Sequence, residues 1–379
     1  MSTETETGDA YLLYHSIGQY AGKRDDMLAG MTEFTDVWAA ANGDQWNEVL
    51  PKRQEFIDLW AELIGAPRGT VTTTESVTTG LMTVIGALPE DTLRGKKVLV
   101  AEDGFPSLHF LLTGLSKRFG FTLATVPIRQ GGHWVEAEDI IAHWDEEVAL
   151  ALLTWVSSTT SHRLDIPQLV AHGRKMGSLI GVDMTQGVGL LPYDVTEPRV
   201  DFALSTSLKW MCGTPGAGIV YMDADLIQRC EPEMRGWFSQ SNPFSWALDA
   251  FEFAGDIRRL DSGTPSTVSA VASLPAMRWR MGQDTQALVK HNRKLTLQLQ
   301  AGLEDMGLSL ATPADPDARG GSLMVVLPDH VVASDVVTQL AVLDIYMDNR
   351  SQTLRMSPGV LTTEAGIDRT LAALRAMLV

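Results

Sequence analysis

The sequence predicts an α/β protein built on a mostly parallel sheet, followed by a smaller α+β domain. In the first two thirds of the 379 residues, short apolar strands alternate with helical segments, which is typical of a parallel sheet covered on both faces. After residue 265 the alternation stops, and long helices precede two separate strands. We therefore expect a disordered tail over residues 1–9, a large domain over 10–265 and a small domain over 266–379.

The individual elements follow from hydrophobic periodicity. Apolar residues at three-to-four spacing predict a helix over 45–64, within a helical region over 10–65. In the large domain we predict strands over 70–74, 97–101, 122–126, 148–154, 179–183, 202–205 and 218–222, and helices over 76–88, 166–176 and within 102–119. In the small domain we predict helices over 266–281, 285–306 and 363–379, and strands over 321–327 and 343–347.

Composition excludes several classes of function. The net charge of −17 argues against non-specific binding to nucleic acid or to an anionic membrane. The two cysteines, Cys212 and Cys230, indicate a reducing compartment, and the eight histidines have no metal-ligand spacing. The amino-terminal residues lack the features of a signal peptide, and the apolar runs are too short to span a bilayer. We therefore expect a cytoplasmic protein.

Lys209 is the candidate catalytic residue. It follows an apolar strand and a short run of small polar residues, while Asp183 ends another apolar strand. In open α/β sheets ligands bind beyond the carboxyl ends of the strands, so both side chains would face one site. Pyridoxal phosphate chemistry requires a lysine that bonds to the cofactor and a carboxylate that keeps the pyridine nitrogen protonated. Taken singly, such residues are more often a solvated lysine and a helix-capping aspartate.

Other strand ends carry candidate ligand-binding residues. Ser76 and Val77 open a helix after a strand, where free N–H groups and hydroxyls bind anions, although alone they suggest only a serine N-cap. Phe105 follows another strand and could stack on a flat ring or fill the core. Gln186 lies three residues after Asp183 and can line the same pocket wall.

In this order, the segments resemble the class V aminotransferase family of fold-type I pyridoxal phosphate enzymes, and within it the kynureninase-like branch. The resemblance extends over about residues 10–375. It rests on the segments 59–67 and 71–78, on Phe105-Pro-Ser, on Asp183-Met-Thr-Gln, on the run from Val200 to Lys209, and on Gly236-Trp-Phe.

The resemblance implies a role for each matching residue. Lys209 would hold pyridoxal 5′-phosphate and move protons, Asp183 would pair with the pyridine nitrogen, and Phe105 would stack on the ring. The cofactor phosphate would lie near Ser76, Val77, Thr206 and Trp237. Gln186 would also contact the cofactor, and Ser158 would lie near its phenolic oxygen.

The resemblance also implies a substrate site and a second subunit. Arg355 would clamp the carboxylate of an amino acid, because a planar guanidinium grips a carboxylate with two parallel hydrogen bonds. Arg350 would be a further substrate residue or a structural one, and His15 would lie at the pocket mouth or on the surface. Thr264, in Gly-Thr-Pro, resembles a threonine of the desulfurase branch of the family that reaches the phosphate of the neighbouring subunit, which implies a homodimer with shared active sites.

Several positions depart from the kynureninase pattern. Leu208 replaces an aromatic hydroxyl, Leu108 replaces an acid, Gln186 stands where histidine is usual, and Gly-Thr-Pro at 263–265 replaces Asn-Pro-Pro. The pocket for the aryl ketone of kynurenine therefore lacks its expected residues. The loop over 349–355 has no cysteine, which argues against a persulfide-forming desulfurase.

The predicted activity is a pyridoxal phosphate-dependent lyase that cleaves a Cβ or Cγ bond (to carbon, sulfur or halogen) of an α-amino acid. An aminotransferase or an amino-acid epimerase of the same family is the alternative enzyme, because both use the same machinery. A non-catalytic ligand-binding or scaffold protein that retains the fold is the alternative from another class.

Overall fold

The computed structural model describes residues 8–378. Its strands are β1 (Val71–Thr74), β2 (Lys97–Ala101), β3 (Thr122–Val126), β4 (Val148–Thr154), β5 (Leu179–Asp183), β6 (Phe202–Thr206), β7 (Gly218–Met222), β8 (Ser309–Leu310), β9 (Leu323–Val326), β10 (Asp348–Arg350) and β11 (Thr353–Met356). Its α-helices are α1 (Lys23–Trp38), α2 (Gln45–Leu63), α3 (Val77–Ile85), α4 (Pro106–Phe119), α5 (Ala137–Ala142), α6 (Ile166–Met176), α7 (Ala224–Arg229), α8 (Val268–Met281), α9 (Thr285–Asp305), α10 (Ala333–Val342) and α11 (Glu364–Leu378).

The first sheet has seven strands in the order β1-β7-β6-β5-β4-β2-β3. Strands β3, β2, β4, β5 and β6 pair in parallel, and β7 is antiparallel to both β6 and β1. Only β7 therefore runs against the other six. The order reverses between β2 and β4, and the carboxyl ends of β4, β5 and β6 meet at one edge, where ligands bind in sheets of this kind.

The two faces of this sheet bury separate hydrophobic clusters. Alternate strand residues point to opposite faces, so Leu153 and Val182 pack under α2, α6 and α8, whereas Leu152 and Leu204 pack under α3, α4 and α7. Continuous burial along β4 and β6 explains why their sequences are nearly all apolar.

Gly181 shows how one small residue admits a large one. It pairs with Phe202 across β5 and β6, and a Cβ atom at position 181 would lie 2.1 Å from the Phe202 ring. Phe202 itself is fully buried. The absent side chain in β5 thus provides the space that the aromatic ring of β6 occupies.

The second sheet is antiparallel, with the order β10-β11-β9-β8. Helices α9, α10 and α11 cover it, and Ala10 and Leu12 from the start of the chain complete its core. Helix α8 packs instead against α1 and α2, beside the first sheet. The proposed division at residue 265 therefore stays a prediction, and the amino-terminal segment packs with the carboxyl-terminal sheet.

Most predicted elements are confirmed to within a few residues, but one strand is wrong. Residues 343–347 do not form a strand: Leu343 caps α10, and Asp344 has a φ of 56°, which breaks an extended chain. The strands of this region are β10 and β11. Helices α5, α7 and α10 were not predicted from the sequence.

The predicted disordered tail lies mostly outside the described residues, which begin at Gly8. Gly8 and Asp9 form a turn, and Asp9 makes an ion pair with Arg369 on α11 at 2.6 Å. Within residues 8–378, each helix is too short or too polar to cross a bilayer.

We predict that Phe202→Ala lowers the free energy of unfolding by about 3–5 kcal/mol, because the truncation leaves a cavity between the two central strands. Urea denaturation followed by circular dichroism measures the change. The matched control is Phe110→Ala on α4, where the side chain is 72% exposed. We expect the control to change the free energy by no more than about 0.5 kcal/mol. Equal effects at the two positions would contradict this description of the core.

Candidate active site

A cavity of about 380 Å³ opens at the carboxyl ends of the central strands. Thr154, Asp183 and Thr206 are the last residues of β4, β5 and β6, and all three line it. The remaining lining residues come from the loops that follow the strands: Glu75, Ser76, Val77, Thr78, Phe105, Val156, Ser158, Thr185, Gln186, Leu208, Lys209, Pro215 and Gly216. The strand ends therefore bring together residues that are far apart in the sequence.

The Lys209 side chain projects into this cavity from the loop after β6. Its Nζ atom lies 5.5 Å from the centroid of the Phe105 ring. Burial lowers the pKa of Lys209 from 10.5 to about 8, the negative charge of Asp183 partly opposes this decrease, and Arg355 and Arg350 add to it. About a tenth of the amine is therefore neutral at pH 7 and about half at pH 8, far more than for a free lysine, and this neutral form can act as a nucleophile or base.

The same loop is held from behind by the start of the chain. The Gly18 N–H donates to the Leu208 carbonyl at 2.8 Å, and a Cβ atom at position 18 would lie only 1.9 Å from the carbonyl oxygen of Lys209. A larger residue at position 18 would displace this backbone. The contact thus needs glycine and fixes the loop that carries the lysine.

Asp183 lines the cavity and is only 6% exposed. Its Oδ1 atom accepts the Thr185 N–H at 3.0 Å. Burial raises the pKa of Asp183, while the bond from Thr185 and the charge of Lys209 oppose the increase. A carboxylate in this environment favours a cationic N–H partner, because the opposite charge compensates for the water that the carboxylate loses on burial.

The start of α3 forms the polar end of the cavity. Ser76 caps the helix: its Oγ accepts the Thr79 N–H at 3.1 Å, and its own N–H donates to Thr79 Oγ1 at 2.9 Å. The N–H groups of Val77 and Thr78 belong to the first turn, where a helix provides no carbonyl partner. They give the cavity a partial positive charge suited to an anion such as a phosphate.

The structure brings most of the predicted site residues into this one cavity. They are Ser76, Val77, Phe105, Ser158, Asp183, Gln186, Thr206 and Lys209. Phe105 is the N-cap of α4, and its ring is 44% exposed beside the lysine, so it does not fill the core. The Gln186 side chain is buried and donates to the His15 carbonyl at 3.1 Å.

Trp237 and Thr264 do not line the cavity. Trp237 packs edge-on against Phe238 and Phe244 in the segment that follows α7. Thr264 lines a second, polar cavity of about 620 Å³, which shares Glu75 and Gly216 with the first. Neither residue is placed to bind the same ligand as Lys209 within one chain.

Arg355, His15 and Arg350 form a charged cluster beside the cavity. Arg355 is buried and donates from Nη1 to the carbonyl of Ser158 at 3.1 Å. His15 is also buried, whereas the Arg350 side chain is 65% exposed. Asp348 belongs to the same cluster, because it contacts all three residues. It was not among the site residues predicted from the sequence. Asp348 and Arg355 are opposite one another only through the register of a strand hairpin, and no glycine, asparagine or proline after Arg350 indicates that hairpin in the sequence.

The family of the chain follows from a comparison with family models. The model for aminotransferase class V matches residues 48–369, which is most of the chain. The chain belongs to the class V aminotransferase family.

Relatives within the family support the predicted kynureninase-like branch. The chain is 27% identical to a kynureninase of Bacillus anthracis, over 93% of this chain and 84% of that protein. It is 27% identical to a kynureninase of Geobacillus thermodenitrificans, over 80% and 72%. It is also 26% identical to an uncharacterized aminotransferase, YcbU, of Bacillus subtilis, over 85% and 83%.

Solved structures confirm the fold. A cysteine desulfurase from Thermococcus onnurineus has a TM-score of 0.86 at 17% identity, over 97% of this chain and 94% of that one. A cystine C–S lyase in complex with cysteine persulfide has a TM-score of 0.86 at 20% identity, over 97% of both chains. The fold is that of the fold-type I enzymes, as the sequence predicted.

The cofactor of this class V enzyme is pyridoxal 5′-phosphate, and the cavity residues fit it. Lys209 supplies an amine that is about half neutral at pH 8, and the ring of Phe105 lies next to it. The buried Asp183 suits a protonated ring nitrogen, and the first turn of α3 suits a phosphate. The individual contacts of these residues with the cofactor stay predictions.

We predict that the cofactor-free protein is methylated at Lys209 by formaldehyde and a reductant with a midpoint near pH 8, since only the neutral amine reacts. Mass spectrometry of peptides taken across a pH series gives the midpoint. In Asp183→Asn the midpoint should fall further, because the carboxylate charge favours the ammonium form. A midpoint near that of a free lysine, about 10.4, would contradict the burial of this amine.

Proposed function

We propose that the protein is a lyase that cleaves a Cβ or Cγ bond in the side chain of an α-amino acid. The similarity to kynureninases over 93% of the chain carries this proposal, together with a cavity whose lysine has a pKa of about 8. Such a lysine can both remove and return a proton near neutral pH, which lyase chemistry at Cβ or Cγ requires at Cα.

Each residue has a part that its surroundings support. When bound, pyridoxal phosphate supplies an electron sink for the bonds at Cα. The Lys209 amine would take the proton from Cα. Asp183 would favour the protonated form of the ring nitrogen, and Phe105 would lie against the ring. Arg355 binds the substrate carboxylate, with Arg350 and His15 beside it.

The bond that breaks depends on the side-chain pocket. Leu208 and Leu108 remain departures from the kynureninase pattern, and Leu208 lines the cavity as an apolar wall. Leu108 is buried in α4 and packs in the core. The apolar wall at Leu208 favours a substrate whose side chain lacks the hydrogen-bonding groups of an aryl ketone.

An aminotransferase is the second candidate, because the relative from Bacillus subtilis carries that name at 26% identity. An epimerase would use the same lysine. The three reactions differ in their products: a lyase releases a side-chain fragment, an aminotransferase needs a keto-acid acceptor, and an epimerase conserves the mass of its substrate.

We also propose a homodimer with shared active sites. Thr264 lies outside the cavity of its own chain, and the neighbouring segment exposes Phe244, Trp246 and Leu248. Apolar patches of this kind are typical of subunit interfaces. A cytoplasmic location is supported by Cys212 and Cys230, which are free and buried and would persist in a reducing compartment.

We expect the purified holoenzyme to release a side-chain fragment from at least one member of a panel of L-amino acids. The panel includes substrates with carbon, sulfur and halogen leaving groups at Cβ or Cγ. Mass spectrometry identifies the products, and Lys209→Ala is the control that should release none. If deuterium from solvent enters Cα of a good substrate while no fragment appears, the lyase proposal is wrong.

Subunit mixing tests the shared site. Lys209→Ala and Thr264→Ala should each be inactive or severely impaired alone. After the two variants are unfolded together and refolded, half of the dimers should be mixed, and each should carry one intact site. Activity should therefore recover to about a quarter of the wild-type value. Recovery that stays at the level of the separate variants would contradict a contribution of Thr264 to the partner's site.

A further inference from the structure

Asp348 and Arg355 form an ion pair beside the cavity, in which Arg355 is buried and Asp348 is partly exposed. They are opposite one another in the register of β10 and β11, so their side chains project from the same face of the hairpin. Arg355 donates from Nε to Asp348 Oδ1 at 2.8 Å and from Nη2 to Oδ2 at 2.5 Å. The Arg355 side chain is only 6% exposed, and its bidentate bonds to Asp348 offset the free-energy cost of burying the guanidinium charge.

His15 holds the other side of Asp348. Its Nε2 atom lies 2.9 Å from Asp348 Oδ1, and its Nδ1 atom lies 2.6 Å from the hydroxyl of Ser357. A carboxylate only accepts hydrogen bonds, so Nε2 carries the proton. Burial lowers the pKa of His15 to about 4, which keeps the ring neutral at pH 7. The His15 carbonyl accepts from Gln186, which links this cluster to the cavity wall.

The hydrogen bonds of Arg355 leave part of its guanidinium for a ligand. The group has five N–H donors. Asp348 accepts two of them and the carbonyl of Ser158, a cavity residue, accepts a third. Two N–H donors on the Nη atoms are therefore left to bind a second carboxylate at this end of the cavity.

We propose that Asp348 is the positioning residue of the substrate-carboxylate site. It holds Arg355 by one edge, and His15 holds Asp348 in turn, so that the remaining N–H donors of Arg355 stay oriented for the carboxylate of an α-amino acid. This inference rests on the proposed function, in which Arg355 binds that carboxylate.

Asp348 has two opposite effects on an incoming carboxylate. Its negative charge neutralises much of the Arg355 charge, and this alone would weaken the attraction for a second anion. Its bidentate grip fixes a long side chain in advance, so less conformational freedom is lost when the ligand binds. If positioning dominates, removal of the Asp348 charge and grip weakens carboxylate binding. If charge dominates, removal strengthens it.

The decisive experiment measures propionate binding to the cofactor-loaded protein by saturation-transfer NMR, with propionamide as the uncharged analogue. Wild-type protein should bind propionate and not propionamide. In Asp348→Asn the dissociation constant of propionate should rise about tenfold. The matched control is Glu55→Gln, because Glu55 grips the surface residue Arg278 with the same two bonds at 2.7 Å. The control should leave propionate binding unchanged.

Kinetics with an amino acid from the substrate panel separates positioning from loss of structure. Asp348→Asn should raise KM about tenfold and change kcat by less than about twofold, because the contact acts on substrate binding. His15→Ala should raise KM and the propionate dissociation constant in the same direction by a smaller factor. This variant decides the question if Asp348→Asn does not fold.

Three results would overturn the proposal: propionate bound by Asp348→Asn as tightly as by wild type or more tightly, no effect of His15→Ala, or no preference of the wild type for propionate over propionamide. The binding measurement needs no turnover. If the lyase proposal fails, the propionate-binding result can therefore still be interpreted. If the positioning proposal fails, the analysis of reaction products is unaffected.

Discussion

The geometry of the site depends on one constraint: β4, β5 and β6 are parallel neighbours and end at the same edge of the sheet. Asp183 is the last residue of β5, which lies between β4 and β6, and it is only 6% exposed. Lys209 is the third residue after the end of β6 and lines the same cavity. A different strand order would move the ends of β5 and β6 apart and separate these two groups.

Burial acts on both groups through the same physical cause, but in opposite directions. Loss of water destabilises a charge of either sign, so the pKa of Lys209 falls to about 8 and the pKa of Asp183 rises. The mutual attraction of the two charges limits both shifts. A ligand could stabilise both groups at once. It would bond covalently to the Lys209 amine, so that this nitrogen need not carry a buried ammonium charge, and it would place a cationic nitrogen beside the Asp183 carboxylate.

The seven-stranded sheet could be predicted well because its central strands are buried on both faces, and the resulting apolar runs are easy to recognise. The hairpin of β10 and β11 could not be predicted from the sequence. Its connection contains Ser351 at a φ of 48° and has no glycine, asparagine or proline after Arg350 to indicate a turn. The partnership of Asp348 with Arg355 depends on that register, so its signal was hidden. The role assigned to Thr264 concerns a second copy of the chain, which a single chain does not contain.

The amino-terminal segment has a consequence for the order in which the protein is made. Residues 10–14 exchange backbone hydrogen bonds with Tyr346 and Ser357, and Gly18 contacts the loop of Lys209. These first residues leave the ribosome long before their partners near position 350 have been translated. The seven-stranded sheet can assemble during translation, but the segment can be anchored only after Tyr346 and Ser357 have emerged. Completion of the site is thus coupled to translation of these later residues, and a product truncated before them would lack the anchored segment.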